Sequence, residues 1–104
     1  MEDFILRQLS LMMTTVNLYR VGDMPLNSAI QRIEGLGRII DGRFWNENLF
    51  PLIVDLERIN SEIINRSNGI SESEKEKVLI TMSIIDQEIL NFGGIDFHKF
   101  ISDD

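Results

Sequence analysis

Apolar positions recur along this chain at steps of three and four, the repeat that puts side chains on one face of an α-helix. Ile5, Leu9, Met12, Val16 and Tyr19 form the first such stripe. Gly22 then supplies a stop. Asp23 is the expected cap of a second helix, with Pro25 in its first turn, where amides lack intrahelical partners. Leu26, Ala29, Ile33, Leu36 and Ile40 carry that helix to Asp41-Gly42. Gly35 and Gly37 lie inside it and each costs about 1 kcal/mol relative to Ala, so close approach of a neighbouring helix is expected to offset them. A phosphate loop is excluded, because it needs a preceding strand and further glycines at fixed offsets.

A third helix begins near Phe44-Trp45-Asn46-Glu47-Asn48, with Asn46 or Asn48 as cap and Pro51 in or near the first turn. Its stripe is Leu49, Leu52, Leu56, Ile59 and Ile63, with Asp55, Arg58 and Glu62 facing away, and Asn65-Arg66-Ser67-Asn68-Gly69 ends it. The fourth helix has the clearest start, since Ser71 and Glu74 stand at capping-box spacing. Val78, Met82, Ile85 and Ile89 form its inner stripe, while Ile80 and Ile84 fall on another side. That wide apolar arc marks either the most buried helix or one that meets a partner.

Asn91-Phe92-Gly93-Gly94 is expected to stop the fourth helix. The tail from Ile95 to Ile101 alternates too weakly to choose strand over short helix, and should pack back through Phe97 and Phe100 or Ile101. The reading is one all-α domain over residues 1–104: an antiparallel up-down four-helix bundle with a short C-terminal tail.

With 43% hydrophobic residues among 104, the chain has enough apolar surface for one core. No continuous apolar run reaches the roughly 18 residues of a membrane span, and Met1-Glu2-Asp3 is acidic where a secretory signal is basic. A cytoplasmic protein without membrane contact is therefore expected. Cysteine is absent, which removes disulfides, thiol catalysis and cysteine-ligated zinc. Net charge is −7, so nucleic acid is a disfavoured direct partner. The charge is uneven, at −1 for residues 1–52 and −6 for residues 53–104.

Catalytic chemistry finds no support in the residue pattern. His98 is the only histidine and has no triad partners at arguable spacing. The Glu-x-x-His pairs of a di-metal bundle and the Asp-rich loop of a calcium site are both missing, so no metal and no cofactor are expected. Asp3–Arg7, Glu34–Arg38 and Glu62–Arg66 are spaced as ordinary i to i+4 surface pairs. Met12 fills the core, and Phe44 and Trp45 close its end, with Tyr19 free to do either that or anchor a partner. Asp55, Glu62, Glu72, Glu76 and Asp86 remain as the candidate partner-binding set, against the plainer alternative of a solubilising surface.

Phe4-Ile5-Leu6-Arg7-Gln8-Leu9, the run Leu26-Asn27-Ser28-Ala29-Ile30-Gln31-Arg32-Ile33-Glu34-Gly35-Leu36, and Phe50-Pro51-Leu52 resemble small acidic helical immunity proteins of bacterial contact-dependent inhibition or colicin-type toxin systems. The resemblance spans most of the chain and has no diagnostic motif. It implies a non-catalytic protein that binds a cognate toxin, commonly a nuclease, and blocks its active site or substrate surface. The acidic charge agrees independently, because a nuclease carries a basic surface for phosphate. The rival reading is a helical adaptor or regulatory subunit that binds a partner helix through the apolar arc of the fourth helix.

Overall fold

The computed structural model describes residues 1–66 and 68–102. Ser67 of the expected loop and the acidic Asp103 and Asp104 lie outside the described residues. Four α-helices follow in order, α1 (Asp3–Arg20), α2 (Leu26–Ile40), α3 (Phe50–Ile64) and α4 (Glu72–Ser102), with a π-helical turn at Phe44–Leu49 leading into α3. No strand occurs among the described residues. α1 packs on α2 and α4, and α3 on α2 and α4; the diagonal pairs do not approach. The molecule measures 44 × 26 × 18 Å along its principal axes.

The stripes meet in one core. Leu9, Met12, Val16, Ala29, Ile33, Leu49, Leu56, Val78, Met82, Ile85 and Ile89 are all fully buried, and Ile5, Tyr19, Leu26, Leu36, Ile40 and Met13 pack around them. Leu52 and Ile59 sit at the margin of this core, whereas Ile53, outside the expected stripe, is fully buried between Leu49 and Leu56. Ile53 stands four residues after Leu49 and three before Leu56, so it shares their face as fully as Leu52 does, and the packing of α3 takes Ile53 inward.

α1 ends as its glycine suggests. Gly22 takes φ 85°, its amide donates to the Tyr19 carbonyl at 3.1 Å, and the Asp23 amide donates to Leu18 at 2.9 Å. This pair of bonds is a Schellman motif. It also corrects the expected cap of α2. The Asp23 amide closes α1, and α2 starts far enough on that Pro25 occupies its cap position, where no side chain caps the helix. Likewise neither Asn46 nor Asn48 caps α3: the chain runs from the π turn straight into the α-helix, with Pro51 in its first turn. Asn48 instead donates to Glu88 of α4 at 3.1 Å.

The two helical glycines part company. A methyl at Gly37 would lie 2.4 Å from the Trp45 ring, which lies flush against the backbone there, while a methyl at Gly35 would meet nothing. Close approach thus explains Gly37 only. Opposite signs are expected: Gly37→Ala lowers stability by about 1–3 kcal/mol through overpacking, and Gly35→Ala raises it by about 0.4–1 kcal/mol. Denaturant midpoints measure both. Two changes of the same sign would contradict the packing of Trp45 on α2.

At the start of α4 the Glu74 amide donates to Ser71 Oγ at 3.1 Å and the Ser71 amide to Glu74 Oε1 at 3.0 Å, completing the capping box. The stop expected near Phe92 is a break rather than an end. Gly94 has φ 52° and ψ −136°, and helical backbone resumes to Ser102. The tail is therefore helix, docked through fully buried Phe97 and half-buried Phe100, with Ile101 exposed.

Candidate functional site

α4 splits its apolar residues between two sides. An 18-residue window of this helix has mean hydropathy 1.3, long and apolar enough on composition to cross a membrane. Here Val78, Met82, Ile85 and Ile89 enter the core, whereas Ile80 and Ile84 are 54% and 42% exposed. One turn apart, they form a ridge on the outer face.

Two open grooves flank that ridge. One, of about 880 Å³, follows α4 along Glu72, Lys75, Glu76, Leu79, Ile80 and Ile84. The other, of about 370 Å³, lies between α3 and α4 over Asp55, Arg58, Ile59, Glu62, Lys77 and Ile80. Ile80 belongs to both. The sequence-derived acids Asp55, Glu62, Glu72 and Glu76 are thus gathered around one exposed apolar residue. Lys75 and Leu79 continue the surface to a third groove, of about 420 Å³, at the α1–α2 corner beside Tyr19, Asp23 and Met24. Tyr19 is half-buried there, and burial raises its hydroxyl pKa above the usual value.

Asp86 does not join them. Arg20 Nη1 donates to Asp86 Oδ2 at 2.6 Å and Nη2 to Ser83 Oγ at 3.2 Å, joining α1 to α4. With its side chain 18% exposed and its charge engaged, Asp86 is a helix-joining residue in this fold rather than a free carboxylate. Other acids of the second half are also occupied. Glu88 accepts from Asn48, and Asp96 pairs with the Met1 ammonium at 2.8 Å. The Glu57 carboxyl beside Glu34, across α2 and α3, raises the Glu34 pKa. Asp55 keeps only an exposed pair with Arg58 at 3.5 Å.

Of the three expected i to i+4 pairs, Glu34–Arg38 forms at 3.7 Å. Asp3–Arg7 and Glu62–Arg66 do not. Arg66 reaches past the loop to Glu74, and Glu62 makes no ion pair among the described residues. The Arg66 guanidinium and then the Ser71 amide hold the Glu74 carboxyl at a pKa of about 2, against an ordinary 4.5. A depressed carboxylate stabilises the fold fully above its unfolded pKa, and that contribution fades as pH falls from about 4.5 through about 2. Glu74→Gln preserves the shape of the capping box without the charge. Wild type should exceed it in denaturant midpoint at pH 7, with the gap narrowing from pH 5 to pH 3. A constant gap would contradict the ionic role of Glu74.

Among the described residues no three His, Asp or Glu side chains converge as metal ligands. His98 is exposed. What the geometry can do is bind: an apolar ridge, open grooves on both sides, and carboxylates at their rims. Ile80 and Ile84 were legible from the sequence as residues off the inner stripe, but the contribution of Ile59, Lys77 and Leu79 depends on how the helices pack. Comparison with protein-family models, with curated proteins and with solved structures returned no match.

Proposed function

We propose that this chain is a non-catalytic immunity protein, which binds and neutralises a basic toxin domain in the cytoplasm through the α3–α4 face. The observation that carries the reading is the placement of exposed Ile80 and Ile84 among Asp55, Glu62, Glu72 and Glu76. An apolar centre with a charged rim is the anatomy of a protein interface. The net charge of −7 supplies the long-range attraction for a basic partner, and the resemblance to immunity proteins points to a nuclease as that partner. We read the four helices as an up-down antiparallel bundle, a topology favoured by the pairings Asn27–Asn60, Asn48–Glu88 and Arg20–Asp86.

The test is affinity capture from the native host followed by expression of the captured protein. A basic protein that is lethal alone, harmless beside this chain, and no longer captured by an Ile80→Glu variant supports the proposal. Capture of a non-toxic protein, or capture indifferent to Ile80→Glu, overturns it.

One observation favours the adaptor reading. Arg58, Lys75 and Lys77 share the two grooves with the four acids, so the lining itself carries an excess of only one negative charge. An adaptor would bind a partner helix by apolar contact with little dependence on salt. A toxin inhibitor steered by charge would associate more slowly as salt rises.

A further inference from the structure

Seven of the eight asparagines are held where the side chain cannot close on the residue that follows. Asn17, Asn27, Asn46, Asn48, Asn60 and Asn91 stand in helical backbone, which keeps each Cγ away from the next nitrogen. Asn65 ends α3, and the amide after it, that of Arg66, donates to the Ile63 carbonyl at 3.2 Å. Asn68 differs on every count. It is exposed, lies outside any helix, and is the one asparagine followed by glycine.

Gly69 leaves the nitrogen of that peptide bond open to react. It has φ 71°, carries no Cβ to shield its own amide, has open space where a methyl would lie, and donates no backbone hydrogen bond among the described residues. Charge around the loop is balanced. Arg66 Nη2 donates to the Gly69 carbonyl at 3.1 Å and also pairs with Glu74, so the end of α3 supplies a cation and the start of α4 an anion. Glu62 of α3 adds its field at Arg66.

We propose that Asn68 is a self-modification site, where the chain converts its own asparagine to aspartate and isoaspartate through a cyclic imide. The Gly69 amide loses its proton and its nitrogen attacks Asn68 Cγ; the Cγ–Nδ2 bond breaks, and the side-chain nitrogen takes up a proton and leaves as ammonia. Water is the second reactant. Its attack at Cγ reopens the ring to aspartate, and its attack at the main-chain carbonyl gives isoaspartate, with the chain then running through Cβ. Nothing is oxidised or reduced. Each conversion replaces a neutral amide by a carboxylate and takes the net charge from −7 to −8. The new charge lies between Arg66 and the start of α4, where it competes with Glu74 for the guanidinium. This site is independent of the binding role proposed above.

The test incubates the folded full chain in heavy-oxygen water from pH 7 to pH 9, then maps its peptides by mass and by labelling with an isoaspartyl methyltransferase. Asn68 should convert before any other residue, taking one solvent oxygen per event and giving both isomers. The rate should rise about tenfold per pH unit, because the attacking group is the amide anion. It should also lie within about tenfold of the rate in the free peptide Arg66–Ser71, as suits an exposed loop. Gly69→Ala should slow conversion about tenfold or more by placing a Cβ beside the nitrogen, with circular dichroism showing the helices intact. A folded chain slower than the peptide by more than that margin overturns the proposal. So does aspartate without isoaspartate, a rate indifferent to pH or to Gly69→Ala, or earlier conversion at Asn65 or at Asp41-Gly42.

Discussion

Phe97→Ala is expected to lower the unfolding free energy by about 3–5 kcal/mol, the range for removing a buried aromatic side chain. Phe97 is 1% exposed and lies beyond the break at Gly94, so the segment that carries it is part of the core. The fit is close: a methyl on Gly93 would come within 2.3 Å of Phe97 Cβ, so Gly93 lets the ring turn back onto the bundle. Ile95→Ala is the matched control. Ile95 is 73% exposed, and its truncation should change stability by no more than about 0.5 kcal/mol. Equilibrium unfolding in urea measures both. A Phe97→Ala cost below that of the control would mean that the last turns are peripheral.

The second large effect concerns binding. Ile80→Glu should weaken the complex by at least about 2 kcal/mol, roughly thirtyfold, because it puts a charge at the centre of an apolar contact. Changing Asp55 and Glu62 together to Lys should slow association and reduce its salt dependence, and loss of a charge that meets a buried partner cation costs roughly 2–5 kcal/mol. These sites are suited to the test because their folded-state contacts are few. Asp55 has one exposed pair, of the kind that contributes little to stability, and Glu62 has none in the described residues. Melting curves should therefore stay close to wild type. Asp86→Lys is unsuited, since it would set a second cation against Arg20. Unchanged affinity in both the Ile80 and the double variant would reject this face as the interface. Loss on Ile80→Glu with no effect of the charge reversal would favour the adaptor.

Local signals in the sequence were most informative where both partners lie within a few residues. The Ser71–Glu74 box, the Gly22 stop and the inner stripe of α4 are of this kind. Asp23 and Asn48 carry equally good cap chemistry, yet Asp23 stands two residues before the cap position of α2, and the Asn48 side chain is drawn to Glu88 of α4. Ile53 is hidden in the sequence because Leu49, Leu52 and Leu56 already satisfy a helical stripe; only the packing of α3 on its neighbours chooses between Leu52 and Ile53. The acidic site was half legible for the same reason. Charge counting found the carboxylates, but it could not tell Asp86, answered by Arg20 from 66 residues away, from Glu62, whose expected partner Arg66 turns elsewhere.

The packing of Trp45 against Gly37 also makes the protein its own optical gauge. Trp45 is the sole tryptophan and Tyr19 the sole tyrosine. The indole is buried at the α2–α3 junction, facing Phe50 at 5.9 Å between ring centres, and lines none of the three surface grooves described. The phenol stands at the rim of the corner groove, continuous with the Ile80 ridge. Indole emission should report whether the chain is folded and ignore what covers α4, whereas phenol absorbance should sense a neighbour reaching the α1–α2 corner. One unlabelled sample therefore yields two separate signals, one for the integrity of the scaffold and one for traffic on its surface.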